Sequence, residues 1–82
     1  MSLETERILL QSKINGLKID LESKKMEGEM FVEQVRNALS PYLEFIELDT
    51  EKAQLAMGNI VRLKTEIKLI EKEVKALERK LN

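Results

Sequence analysis

The chain has 82 residues, 43 % hydrophobic, 35 % charged and 4 % aromatic, with 14 Lys+Arg against 15 Asp+Glu and no Cys, His or Trp. Such a length allows one domain and rarely buries a large core alone. The missing Cys and His exclude disulfides, thiol nucleophiles, ordinary zinc sites and histidine acid–base catalysis, and a net charge of −1 gives no simple case for phosphate-backbone binding.

Leu, Ile, Lys, Glu and Met dominate, and all but Ile are good helix formers. No hairpin-turn dipeptide or β-branched alternation signals a strand. Met1-Ser2-Leu3 has the form of an expression-vector start. From Leu3 on, apolar residues recur at helical spacing. Position d of a heptad holds Leu3, Leu10, Leu17, Lys24, Phe31 and Ala38; position a holds Arg7, Ile14, Leu21, Gly28 and Val35. This predicts a first helix over about 3–38, weakest at Lys24 and Gly28.

Ser40-Pro41 punctuates the chain. The residue before a proline avoids the α region, so the first helix should end near Ala38 or Leu39. Serine at an N-cap followed by proline at the first helical position also reads as a helix start. The expectation is a turn at about 39–41 and a second helix over about 41–81. Two alternatives stand beside it. One is a single helix kinked at Pro41, about 120 Å long. The other is a further break at Asp49-Thr50, two N-cap types before Glu51, leaving residues 41–48 as a short helix of their own.

The second half has the cleaner seam. Ile60, Leu63, Ile67, Ile70, Val74, Leu77 and Leu81 follow a 3, 4 spacing without exception. Folding the chain back so that paired residue numbers sum to 84 gives the layers Leu3/Leu81, Leu10/Val74, Ile14/Ile70, Leu17/Ile67, Leu21/Leu63, Gly28/Ala56, Phe31/Ala53 and Ala38/Ile46. The turn then centres on residue 42, beside Pro41. Lys24 against Ile60 and Val35 against Asp49 are the poor layers. The predicted fold is all-α: an antiparallel two-helix hairpin, coiled-coil-like, as a single unit over 1–82. Its seam residues are Leu10, Ile14, Leu17, Leu21, Phe31, Val35, Ile60, Leu63, Ile67, Ile70, Val74 and Leu77.

One seam does not use every apolar residue. Met26, Met30, Val32, Leu39, Leu43, Leu48, Leu55 and Met57 lie outside it, all toward the turn, and Ile8, Leu9, Ile19, Val61 and Leu69 add a scatter at the other end. A two-helix unit has little interior to hide them, so the eight toward the turn form a candidate oligomer or partner surface. The simplest outcome is a homodimer forming a four-helix bundle. Charge is uneven too. Residues 27–51 hold seven acids and only Arg36 as a base, so the turn region is strongly acidic while the remainder is mildly basic.

No residue set supports catalysis. The acids sit at helical offsets such as Glu71-Lys75, without the cleft that paired catalytic carboxylates need. Gly16, Gly28 and Gly58 are too dispersed for a phosphate loop. No metal or cofactor is expected. No apolar run exceeds three residues (Ile8-Leu9-Leu10 is one), which argues against a membrane span and for a soluble, cytoplasmic protein. Arg62, Lys64, Lys68, Lys72 and Lys75 trace a basic stripe, diluted by Glu66, Glu71 and Glu73. The expected function is a non-enzymatic oligomerisation or protein–protein interaction module. Alternatives are a regulatory adaptor gripping another protein through the Met-rich acidic surface and, more weakly, a nucleic-acid accessory using the stripe.

Overall fold

The computed structural model describes residues 3–82; the vector-like start that Met1 and Ser2 open lies outside them. The chain is all-α, with α1 (Leu3–Ala38), a single 3-10 turn (Phe45–Glu47) and α2 (Thr50–Leu81). The two helices pack along one another as an antiparallel hairpin of 65 × 15 × 14 Å. A single kinked helix of this length would be nearly twice as long.

Terminal charges suit each helix. Glu4 and Glu6 stand in the first turn of α1 and Arg36 in its last, and Glu51 opens α2 while Arg79 and Lys80 close it. Acids favour the positive end of the helix dipole and bases the negative end.

The connection differs from the expectation. The second helix starts at Thr50, not at Pro41. Pro41 instead sits inside a turn closed by the Leu43 N–H donating to the Ser40 carbonyl at 3.1 Å, with the Ser40 hydroxyl accepting from the Tyr42 N–H at 3.3 Å. Proline's fixed φ suits the second position of such a turn as well as it suits a helix start. Asp49 is the residue that caps α2, its carboxylate accepting from the Lys52 N–H at 3.0 Å. The Asp49 N–H donates to the Ala38 carbonyl at 3.1 Å, which ties the two ends of the connection together. Residues 41–48 therefore form no α-helix, and contain only the one 3-10 turn.

The longer connection moves the seam by one heptad. A Cβ built on Gly28 would lie 4.0 Å from the Leu63 side chain, whereas the expected partner of Gly28 is Ala56, seven residues earlier. Ile14 packs with Val74 and Leu77. Arg7 donates to the Leu81 carbonyl at 2.9 Å, and Lys24 reaches Glu66 at 3.3 Å. In this register Ile14 is level with Leu77, Leu17 with Val74, Phe31 with Ile60, Val35 with Ala56 and Ala38 with Ala53. One poor layer of the predicted register disappears, and the other persists with Lys24 now level with Ile67. Val35 gains an alanine in place of Asp49, and Lys24 leaves Ile60 and bends its ammonium out to a carboxylate.

The shift replaces every predicted pairing, and it leaves two of the paired residues with no layer at all. Leu3 is 78 % exposed, because the shift carries its level beyond Asn82. Ile46 is 77 % exposed, because it belongs to the connection and not to α2.

Candidate interaction surface

The two long edges of the hairpin are not alike. In the half nearest the termini both edges carry an ion pair between the helices, Lys13–Glu73 at 3.8 Å on one and Lys18–Glu78 at 3.7 Å on the other. Toward the connection, one edge is polar and the other is a groove.

The polar edge centres on Glu66. Its carboxylate accepts from Lys24 Nζ at 3.3 Å and from Arg62 Nη1 at 3.1 Å. Arg62 also donates to the Asn59 side chain at 3.3 Å and lies 3.8 Å from Glu27 of α1. The hydrogen bond from Lys24, then that from Arg62, holds the Glu66 carboxyl below its ordinary value of 4.5. This cluster resolves the lysine within the seam: the stem packs and the charged head finds a partner at the rim. It also occupies Arg62, the first member of the basic stripe.

The opposite edge opens into a groove of about 350 Å³ lined by Lys25, Gly28, Glu29 and Val32 of α1 and by Ile60, Leu63, Lys64 and Ile67 of α2. Its origin is Gly28. At a seam position a glycine leaves its layer half empty, so the buried Leu63 side chain stands against bare backbone and the edge above it is indented. The rim is basic on balance. Lys25 lies 3.9 Å from Glu22 on its own helix, and Lys64 has no ion pair among the described residues. Met57 and Val61 share the Lys64 face by helical spacing and extend the apolar margin toward the connection.

The connection itself presents the third feature. Tyr42, Phe45 and Ile46 are 96 %, 84 % and 77 % exposed. Residues 42–49 also hold Glu44, Glu47 and Asp49 and no base, so the tip is both apolar and acidic.

The structure places the predicted seam residues as follows. Ile14, Leu63, Val74 and Leu77 are buried; Leu10, Leu17, Leu21, Phe31, Val35, Ile60, Ile67 and Ile70 are half-buried. Of the predicted surface, Met26, Met30, Leu39, Leu43, Leu55 and Met57 are exposed, while Val32 and Leu48 are half-buried. The eight do not form one patch. Val32 and Met57 belong to the groove edge. Leu55, one heptad before Arg62, and Met30, one turn after Glu27, flank the polar edge instead. Sequence reasoning missed the groove and the exposed Phe45–Ile46 pair. The break at Asp49-Thr50, one of the two alternatives in the sequence, is where α2 starts. Together with the absence of an α-helix over 41–48, it releases Ile46 from the seam and lengthens the connection so that Leu63 comes opposite Gly28.

Among the described residues, no three acidic side chains come together in a way that could hold a metal ion, and no helix is long and apolar enough to cross a membrane. Compared with known protein families, with curated proteins and with solved structures, the chain matches none.

Proposed function

We propose that this chain is a non-enzymatic oligomerisation module of the cytoplasm, whose hairpins associate through the halves nearest the connection into a four-helix bundle. The observation that supports this reading is an imbalance. Among the described residues seven side chains are buried, whereas fifteen large apolar ones are exposed, ten of them between residues 26 and 61 and five nearer the termini. Apolar area is favourable to remove from water, at roughly 25 cal/mol per Å², and a second copy supplies a partner surface of the same composition. The experiment is a light-scattering mass over a range of concentrations. The expected result is two chains of 9.5 kDa each; a single-chain mass at every concentration overturns the proposal.

A second reading is favoured by the tip. Tyr42, Phe45 and Ile46, ringed by acids, are also what an adaptor would offer to another protein with a basic, apolar pocket. Under that reading the purified chain is monomeric.

A further inference from the structure

We infer, on the reading of self-association just given, that the Phe45–Ile46 tip of one hairpin seats in the Gly28 groove of a second copy, and that the exchange is mutual. The two surfaces complement each other within one sequence. The groove offers a concave apolar wall of Gly28, Val32, Ile60 and Ile67 over the buried Leu63, with Lys25 and Lys64 on its rim and Lys68 one turn along from Lys64. The tip offers two exposed apolar anchors with Glu44, Glu47 and Asp49 around them. Aromatic anchors filling a pocket, with opposite charges at its rim, are what carries affinity and orientation in an interface. Glu29 on the groove wall and Glu22, 3.9 Å from Lys25, offset two of the three lysines, so the rim keeps a small positive balance carried by Lys64 and Lys68.

The positions also allow two-fold closure. Gly28 lies ten residues short of the end of α1 at Ala38, ~15 Å along the axis, and the connection caps that end. Tip and groove are thus roughly 25 Å apart within one chain. Two antiparallel copies overlapped by that distance place each tip at the other's groove. Such a contact is isologous and closes as a dimer without leaving a free end to propagate. Two 65 Å hairpins so overlapped make a rod of roughly 105 Å, with four helices side by side only in the shared region. Complete side-by-side pairing would keep the length of one hairpin.

Zero-length carbodiimide coupling of the native protein, with small-angle scattering and mass, tests this. Within one chain Lys25 and Lys64 are too far from Glu44 and Glu47 to be coupled, so an amide between these groups joins two copies. The expected result is that amide, a dimeric mass and a largest dimension near 105 Å. A charge exchange supplies the second arm. Lys25→Glu with Lys64→Glu, or Glu44→Lys with Glu47→Lys, weakens self-association about tenfold, and mixing the two variants restores it, since every tip–groove contact in the mixed dimer is again between opposite charges. A dimer near 65 Å long, a dimer without those amides, or one indifferent to the charge exchange overturns the arrangement while leaving association standing. A monomer overturns both.

Discussion

The two halves of the hairpin solve the same packing problem differently. Near the termini, Ile14, Val74 and Leu77 form a buried cluster with Leu10, Leu17, Ile70 and Leu81 against it. Every member is a large aliphatic, and both edges are spanned by ion pairs. Toward the connection the buried positions are Ala38, Ala53 and Ala56, with Leu63 alone as a large side chain and Gly28 facing it. Small residues let the helices approach but fill little volume, so the apolar bulk of that half lies on its outside. One half fills its interior with its own side chains, although Leu3, Ile8, Leu9, Ile19 and Leu69 stay exposed on its outside. The other leaves its apolar area available to something else.

Truncating the large core residues gives the greatest expected effect and sets the halves against each other. Ile14→Ala and Leu63→Ala each remove a side chain that is 1 % exposed, and each should cost about 2–4 kcal/mol in denaturant unfolding. They should differ in association. Ile14 serves only its own hairpin, so Ile14→Ala leaves the dimer constant of the folded fraction unchanged. Leu63 also underlies the groove, so Leu63→Ala weakens the dimer as well. Equal effects on association would erase the distinction between the halves.

Asp49→Ala comes next. Loss of an N-cap carboxylate costs about 1 kcal/mol, and here it also loosens the connection that carries Tyr42, Phe45 and Ile46. Thermal melting followed by circular dichroism should show the loss, with hydrogen exchange rising first at Lys52 and Ala53.

The place of Asp49 also explains what could be read from the sequence and what could not. Both helical seams were legible, because a 3, 4 spacing over seven heptad positions has no other physical origin than a helix packed along its length. The register was not, because a heptad repeat is unchanged by a slip of seven: Gly28 meets an a/d position whether its partner is Ala56 or Leu63. Only the length of the connection chooses between them, and Pro41 is compatible with a helix start and with a turn. The discriminating signal lay in one of the two poor layers. An aspartate against Val35 vanishes on slipping by one heptad and Asp49 becomes free to cap, whereas Lys24 merely passes from Ile60 to Ile67 and tells nothing. The groove was illegible for the same reason, since it exists only where Gly28 and Leu63 coincide.

Glycine replacements sharpen the comparison at smaller scale. Gly16 stands in the half near the termini and Gly58 in the other, both within helices, and a Cβ on either meets nothing within 4 Å. Gly16→Ala and Gly58→Ala should each stabilise an isolated hairpin by about 0.5–1 kcal/mol. The gains should be equal at concentrations where the chain is monomeric. A gain for Gly58→Ala that shrinks as the concentration rises would locate association on the outer face of α2 as well as on the groove edge.

The smallest effect concerns Glu66, where the half with the filled interior meets the other. Its carboxyl is held below its ordinary value by hydrogen bonds from Lys24 and Arg62. A group whose folded pKa is depressed contributes stability above its unfolded value and loses it as the pH falls through the folded one. The contribution is therefore whole above about pH 4.5 and fades on further acidification. Glu66→Gln abolishes the titration while keeping the side chain's length. The variant should be slightly less stable than the parent at neutral pH and converge on it in acid. Because Lys24 stands at a seam position, the same substitution leaves its ammonium with a weaker acceptor at the rim, so the loss should exceed that of Glu73→Gln, whose Lys13 partner is well exposed. Equal losses for the two variants would mean that the lysine within the seam needs no charged partner to be accommodated.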